Sequence, residues 1–338
     1  MARNSERKRT ATITDVARLA GVSLKTASRV VNRESKVSPA KVQAVEQAAR
    51  SLNYTPNLMA RQLRTQRPNL IAFMIERPSS YIASLQFAMT RVCAELELNL
   101  LMEAVAPGEE ARSAERLRRL GVQGAVLASP LDTNAALHER LGEAGVAYVL
   151  ISPMQSGLSG ATVGMDDFGA AKAMTELVIE AGHRRIGFIA GPRSNPVSPQ
   201  RRLGHLAALR EHGMDADPAL EAEAESFHFE SGFEVAGRLL GLAERPTAIF
   251  ASNDYLALAT LRVAAQLGLK APADLSVVGF DDMPSAAMTQ PSLTTVRQPL
   301  DEIGRRAIDL LVSSSRPRYQ HIGLGFEIIR RESLIPRG

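Results

Sequence analysis

The chain has 338 residues, 45% of them hydrophobic, and a formal net charge of +4. This length predicts two or three domains with sizeable cores. Its single cysteine, Cys93, excludes an intramolecular disulfide, and the absence of any apolar run near the roughly 18 residues of a bilayer span, or of a secretory signal, favours a cytoplasmic protein with no membrane partner.

Positive charge is concentrated at the front of the chain. Residues 1–67 contain fourteen Lys/Arg and four Asp/Glu, a net charge of +10, so the remainder sums to −6. A basic module on an acidic body indicates docking on a polyanion, either nucleic acid or a membrane surface. Residues 1–10 are expected to form a disordered basic arm, either solubilising or in contact with phosphates.

Capping residues and apolar spacing in residues 12–31 predict two short helices joined by a tight turn. Thr14 is expected to cap the first helix, and Gly21 permits the turn. Ser23 is expected to cap the second helix, residues 24–31. Helix, glycine-containing turn and helix form the DNA-binding helix-turn-helix arrangement, although a generic amphipathic hairpin would share the pattern.

A third helix is predicted from Ser38 and Pro39, an N-cap residue followed by proline. Its apolar face is predicted to contain Val42, Val45, Ala49 and Leu52. Three helices with small inward-facing residues can pack closely enough to form a compact all-α head.

The second helix carries the candidate contacts to DNA bases, which are Leu24, Lys25 and Arg29. The N-terminal half of a recognition helix faces base edges in the major groove. Arg29 suits bidentate contact with guanine, and Leu24 suits a thymine methyl group. Candidate phosphate contacts, which position the protein without reading sequence, are Thr12, Thr14, Ser23, Thr26, Ser28, Asn32 and Tyr54.

Residues 11–64 resemble the head of the lactose-repressor (LacI/GalR) family of bacterial transcription regulators, in the stretches ATITDVARLAGVSLKTASRVVN and LNYTPNLMARQLR. The resemblance implies a helix-turn-helix domain over residues 11–56 and a hinge helix with linker over residues 57–67. It also implies that Leu63, with Ala60 beside it, wedges into the minor groove of the operator when two subunits are bound. The alternative is that Leu63 packs between domains.

From residue 68 onward, apolar strands alternate with helical segments, which predicts parallel sheets covered by helices on both faces. The predicted strands are 70–75, 98–104, 124–128, 147–152, 186–190, 248–251 and 276–280; the predicted helices include 82–96, 111–120, 134–144, 168–181, 202–212, 232–242 and 256–267. A break near residues 164–167 indicates two lobes. Residues 219–225 are predicted to be solvated acidic surface.

This body resembles the periplasmic-binding-protein-like effector domain of the same family. The predicted fold is therefore an all-α helix-turn-helix head followed by an α/β core of two doubly wound lobes, spanning residues 68–338. Lobe 1 is expected to comprise about 68–166 and 298–326, and lobe 2 about 167–297 and 327–338. Ligands of such folds bind at the carboxyl ends of the strands, so facing lobes predict a cleft.

By this resemblance, the candidate effector-binding residues are Tyr81, Ile82, Asp166, Ser198, Arg202, Phe227, Asn253, Asp254 and Asp281. Carboxylates, an amide and a guanidinium can hydrogen-bond to hydroxyl groups, and an aromatic face can stack on a sugar ring. The chain is therefore interpreted as a DNA-binding transcriptional repressor controlled by a sugar or sugar derivative. A purine or nucleoside could use the same groups. No cofactor or metal is expected.

Two other classes of protein fit the sequence less well. An enzyme is not expected, because the six histidines lack metal-ligand spacing and no P-loop or nucleophile motif occurs. Cys93 is predicted to be buried and inert, and His205 and His212 are predicted to be solvated. A transport-type solute receptor would share the body but not the basic head.

One helix-turn-helix head reads half of a site, so a homodimer on a pseudo-palindromic double-stranded operator is expected. The helix predicted at residues 82–96 is the expected interface. Because no leucine-heptad helix, through which some family members form tetramers, follows residues 335–338 in this sequence, dimers are expected.

Overall fold

The computed structural model describes residues 11–31, 37–54, 69–151, 160–313 and 320–337. The chain divides into two compact units, Met1–Pro68 and Asn69–Gly338. Within the described ranges, no helix has both the length and the apolar character that crossing a bilayer requires. The predicted hinge at 57–67, the arm at 1–10, and Asn32, Ala60 and Leu63 all lie outside the described residues.

The first unit contains three short helices around a core of small side chains. These are α1 (Ile13–Leu19), α2 (Leu24–Val31) and α3 (Pro39–Ser51). The buried residues are Val16, Ala17, Ala27, Val45 and Ala48. Three of these five residues are alanines, and such small side chains allow the helices to pack closely. The predicted three-helix head is confirmed.

The caps of these helices follow the sequence with one correction. Thr12, not Thr14, is the N-cap of α1, because Thr12 and Asp15 form a reciprocal capping box in which the Thr12 N–H donates to Asp15 Oδ2 at 3.0 Å. Ser23 caps α2 as predicted, and its Oγ accepts the N–H of Thr26 at 3.1 Å. Gly21 has the positive φ of 62° that the turn needs.

The second unit begins with a six-stranded parallel sheet, which with its covering helices is lobe 1. The strand order is β11-β5-β4-β3-β1-β2, where β1 is Leu70–Ile75, β2 Asn99–Ala104, β3 Gly124–Leu127, β4 Tyr148–Ile151, β5 Ala161–Met165 and β11 His321–Leu324. The helices of this lobe are α4 (Ser80–Glu95), α5 (Glu110–Leu120), α6 (Ala135–Glu143) and α12 (Leu300–Val312). Residues of β1, β3 and β4 are almost continuously buried, as expected for a parallel sheet covered on both faces.

Lobe 2 is built on a four-stranded parallel sheet of order β7-β6-β8-β9. The strands are β6 (Ile186–Ala190), β7 (Glu221–Glu223), β8 (Ala248–Ala251) and β9 (Ser276–Val278). Its helices are α7 (Asp167–Glu180), α8 (Val197–Glu211), α9 (Ser231–Leu240), α10 (Asp254–Gln266) and α11 (Pro284–Met288). Beside this sheet, β10 (Thr295–Arg297) pairs antiparallel with β12 (Glu327–Ile329).

The chain passes between the lobes at three places. It leaves lobe 1 between β5 and α7, returns between β10 and α12, and leaves again between β11 and β12. The first crossing coincides with the predicted break near residues 164–167. Three neighbouring connections allow the lobes to close or open about a hinge while the cores of both stay intact.

Of two predictions about the surface of lobe 2, one is incomplete and one is wrong. Glu223 and Glu225 are exposed, as predicted for residues 219–225, but the segment also contains β7, and Ala222 in β7 and Ala224 just after it are buried. The apolar–charged alternation of period two indicates a strand with one buried face. His205 is 1% exposed, stacks on Phe188 with 4.7 Å between ring centroids, and has its pKa lowered to about 3 by burial.

Two further predictions, for His212 and Cys93, agree with the structure. His212 is exposed. Cys93 is buried on α4, as predicted, and burial raises the pKa of its thiol to about 11. A thiol with such a pKa is almost entirely protonated at neutral pH, so it is a poor nucleophile.

Candidate functional site

A cavity of about 360 Å³ lies between the two lobes of the core. Lobe 1 contributes wall residues that follow β1, β3 and β5, and lobe 2 contributes residues that follow β6, β8 and β9. The cavity therefore sits at the carboxyl ends of both parallel sheets, where ligands of such folds bind. Its volume lies in the range of about 300–1,000 Å³ that is usual for small-molecule sites.

Arg201 of α8 is the buried cation of the cavity. Its side chain is 4% exposed, and its Nε donates to Asp167 Oδ1 at 2.8 Å. Its Nη1 donates to the carbonyl oxygen of Ser252 at 2.6 Å and lies 3.6 Å from Asp281 Oδ1. The guanidinium also stacks on Phe280, with 3.6 Å from its carbon to the ring centroid. A charge buried this deeply needs such partners to offset its lost hydration.

Asp281 has a strained backbone, and its side chain is held at the cavity wall by Gln298, a residue of the connection between β10 and α12. Its φ of 117° lies in the region that favours glycine, so surrounding contacts must fix it. The Asp281 N–H donates to the Val296 carbonyl at 2.8 Å, and Gln298 Nε2 donates to Oδ1 at 2.7 Å. Burial raises the pKa of Asp281 to about 6, although Arg201 and Gln298 act in the opposite direction.

Two neighbouring residues at the start of α10 have different roles. Asn253 caps the helix by accepting the Leu256 N–H at 2.9 Å, and its Nδ2 donates to the Phe227 carbonyl at 2.9 Å. Asn253 therefore fixes the segment that presents the Phe227 ring. Asp254 is turned into lobe 2, where it accepts the Met283 N–H at 2.7 Å and the Thr295 hydroxyl at 2.6 Å.

Aromatic rings provide the apolar part of the wall. Phe227, Tyr81 and Tyr255 all line the cavity. The Phe227 ring can sit back from the cavity because residue 191 is glycine: a Cβ there would lie 2.3 Å from ring atoms. Burial, and secondarily the charge of Asp281, raises the pKa of Tyr81 well above its ordinary value, so its hydroxyl is available as a donor.

The structure places five of the nine predicted effector residues on the cavity wall. They are Tyr81, Ile82, Phe227, Asn253 and Asp281. They come from four separate segments of the chain and from both lobes, which is the convergence that a binding cleft requires.

The other four predictions are corrected. Asp166 caps α7 by accepting the Gly169 N–H at 2.8 Å, and the adjacent Asp167 occupies the wall. Arg202 is 46% exposed and paired with Glu221 at 2.6 Å on the outside of lobe 2, whereas Arg201 faces the cavity. Ser198 is buried without lining the cavity, and Asp254 supports the wall from behind.

Sequence reasoning missed several wall residues, including Asp167, Arg201, Tyr255 and Gln298. For the first two a signal existed, because each is one of two adjacent identical residues that the resemblance could not separate. α8 begins at Val197, earlier than predicted, and its true start would have favoured Arg201.

In the helix-turn-helix unit, two of the predicted base-contacting side chains are exposed on α2. Leu24 is 51% exposed and Lys25 is also exposed, whereas Arg29 is half-buried. An exposed leucine at the start of a helix has no packing role in its own unit. Thr12, Thr14 and Ser23 are exposed, and Thr26, Ser28 and Tyr54 are half-buried, so the predicted phosphate contacts stay predictions.

The chain matches two described families. Residues 12–57 match "Bacterial regulatory proteins, lacI family", and residues 175–334 match "Periplasmic binding protein-like domain". The HTH-type transcriptional repressor CytR of Escherichia coli (strain K12) is 33% identical over 329 residues, covering 96% of this chain and 95% of CytR.

Two solved structures share both units. The transcriptional regulator CelR–cellobiose complex is 31% identical, with a TM-score of 0.73, and covers 96% of this chain and 99% of that one. The lac repressor dimer bound to operator and the anti-inducer ONPF is 26% identical, with a TM-score of 0.82, and covers 97% of this chain and 100% of that one.

Proposed function

This chain belongs to the lacI family of bacterial regulatory proteins, and we propose that it is a dimeric transcriptional repressor whose operator affinity is controlled by a sugar or sugar derivative. As a regulator of chromosomal DNA it would act in the cytoplasm. A CelR structure contains cellobiose and a lac repressor structure is a dimer on its operator, and both support this proposal. A purine or nucleoside is the alternative effector.

One observation supports the effector site above all others. A cavity between two lobes contains the buried Arg201–Asp167 pair, with the Arg201 guanidinium carbon 5.9 Å from the centre of the Phe227 ring, and the carboxylate of Asp281, which accepts a hydrogen bond from Gln298 at one oxygen. Charged hydrogen-bonding groups next to an aromatic ring suit a sugar. The charged groups form hydrogen bonds with the hydroxyl groups at the edge of the sugar ring, and the aromatic ring packs on its C–H face.

The proposed mechanism is a shift between two lobe arrangements. An effector that contacts both lobes binds the closed arrangement more tightly than the open one and so shifts the population toward closure. The lobes move relative to each other about the three chain connections between them. A differential affinity of about 1–3 kcal/mol changes operator affinity by about 5–150-fold. Release of DNA and promotion of DNA binding are both compatible with this coupling.

On the DNA side, we propose that Leu24, Lys25 and Arg29 of α2 contact base edges in the major groove. Hydroxyl groups at the helix starts would contact phosphates, and Ala60 and Leu63 would contact the minor groove. Catalysis has no part in the proposal. The relatives described above are regulators.

The test is selection of duplexes from a random DNA library by the purified full-length protein, followed by footprinting. We expect a pseudo-palindromic site whose affinity changes at least fivefold with one member of a panel of sugars and nucleosides. Recovery of no palindrome at low ionic strength would contradict the DNA-binding proposal. A palindrome that responds to no panel member would contradict the effector class alone.

A further inference from the structure

The charge of the cavity wall restricts the chemistry of the effector more narrowly than the proposed function does. With histidine counted as neutral, the charged residues on the described part of the wall are Glu76, Arg77, Asp167, Arg201, Glu225 and Asp281. Four carboxylates and two guanidinium groups leave a formal excess of two negative charges. Such a wall repels an anion before any specific contact is made.

Both guanidinium groups of the wall already lie beside carboxylates, which makes them poor binding groups for a phosphate. Arg201 is already engaged by Asp167, by Asp281 and by the Ser252 carbonyl. Arg77 is 76% exposed and lies 3.7 Å from Glu76, so it is screened by solvent and partly offset by its neighbour. Recognition of a phosphate normally uses an arginine fork, and both guanidinium groups of the described wall lie beside carboxylates.

The wall is instead rich in hydrogen-bond acceptors. Asp281 Oδ1 accepts from Gln298, and Asp167 Oδ1 accepts from Arg201, but the structure places no hydrogen bond on the second oxygen of either carboxylate within its described residues. Glu225 is exposed at the cavity and has no ion pair within the same residues. A ligand that satisfies these oxygens must bring O–H or N–H donors.

Building on the proposed function, we propose that the effector is an uncharged polyhydroxy molecule, a free sugar or glycoside, and that the cleft rejects its phosphate ester. Hydroxyl groups of the ligand donate to Asp281 and Asp167, and its ring lies against Phe227. The excess negative charge of the wall repels the phosphate group, so the free sugar binds more tightly than its phosphate ester. The signal read by this regulator is therefore a sugar before phosphorylation.

The experiment titrates the full-length protein by calorimetry with matched pairs. The pairs are cellobiose and cellobiose 6-phosphate, glucose and glucose 6-phosphate, ribose and ribose 5-phosphate, and adenosine and AMP. We expect one uncharged sugar to bind at one molecule per chain and its ester to bind at least about 100-fold more weakly. Ester binding is scored by displacement of the sugar, which separates the cleft from the basic helix-turn-helix unit.

A charge variant tests the cause. Glu225→Gln should reduce the sugar-to-ester ratio by about threefold, because one wall charge is lost in a partly screened position. Glu234→Gln, the same change at an exposed α9 residue off the wall, should leave the ratio unchanged. An ester that binds as tightly as its parent sugar, or binds alone, would overturn the inference and leave the proposed effector class standing. Binding by neither set would overturn the effector class itself.

Discussion

Ser80 and Tyr255 are hydrogen-bonded to each other, hydroxyl to hydroxyl, across the cleft. Ser80 is the first residue of α4 in lobe 1, and Tyr255 is the second residue of α10 in lobe 2. Two helix N-termini from opposite lobes therefore meet beside the cavity. Because the bond exists only while the lobes are close together, it stabilises the closed arrangement in the absence of effector.

Tyr255→Phe should shift the population toward the open arrangement. The loss of one hydroxyl pair is worth about 0.5–1.5 kcal/mol, or up to about a tenfold change in the lobe equilibrium. Small-angle scattering without effector should show a larger radius of gyration. Ser80→Ala should produce the same change, and the double variant should be no more open than either single one. Additive effects of the two substitutions would show that the residues act independently.

Substitution of two adjacent arginines on α8 should reduce stability by very different amounts. Arg201→Ala leaves Asp167 and Asp281 buried without their cation, so we expect a loss of about 3–5 kcal/mol of unfolding free energy and loss of the effector response. Arg202→Ala removes an exposed ion pair with Glu221 and should cost less than about 1 kcal/mol. Urea denaturation measures both. Equal losses would contradict the assignment of Arg201 to the cleft.

The buried carboxylates should contribute less stability as the pH rises from about 4 to 6, whereas His205, whose pKa burial lowers to about 3, acts in the opposite direction over this interval. Burial raises the pKa of Asp281 to about 6 from an ordinary value near 3.8, so the folded state binds more protons than the unfolded state within this interval. The contribution of Asp281 to the slope is therefore negative, and it amounts to at most about 3 kcal/mol. Asp167 and Asp254 are shifted in the same direction by burial and should add to it.

Asp281→Asn should make the slope of stability against pH more positive than in the unsubstituted protein, measured by urea denaturation at pH 4, 5 and 6. Asp282→Asn is the matched control, because Asp282 is paired with Arg297 and Arg331 on the other side of the same turn. An unchanged slope in Asp281→Asn would show that Asp281 does not contribute to the pH dependence.

Gly191→Ala should narrow the cavity without a change in its polar groups. The added Cβ would lie 2.3 Å from the Phe227 ring, so the ring must move toward the cavity. We expect effector affinity to fall by about 5–150-fold, which corresponds to the cost of overpacking a filled site, about 1–3 kcal/mol. Gly142→Ala, where a Cβ meets nothing within 4 Å, is the control. Calorimetry that finds equal affinity in both variants would contradict the positioning role of Gly191.

Arg29→Ala should relax base preference at one position in each half-site and cost about 1–3 kcal/mol of operator binding. Lys41→Ala on α3 removes a charge outside the recognition helix and should at most weaken binding to all sequences alike. Selection from randomised duplexes compares the two variants. An unchanged preference in Arg29→Ala would exclude Arg29 from base contact.

Local patterns determined most of the architecture. Thr12 to Val31 contains caps, a turn glycine and helical spacing of apolar residues, which operate over a few residues and need no tertiary context. The buried strands β1, β6 and β8 were located to the residue, since short apolar runs bounded by turns leave few alternatives. β7 was missed, although its alternation was visible in Leu220, Ala222 and Ala224.

Only the tertiary structure decided which side chains face the cleft. Successive residues on a helix point about 100° apart, so the choice between Arg201 and Arg202 depends on how α8 is rotated against β6 and α7. Asp166 and Asp167 differ for a related reason, since one side chain caps the helix and the next then faces the wall. Sequence identifies the residue types at a strand end or helix start, whereas long-range packing sets their direction.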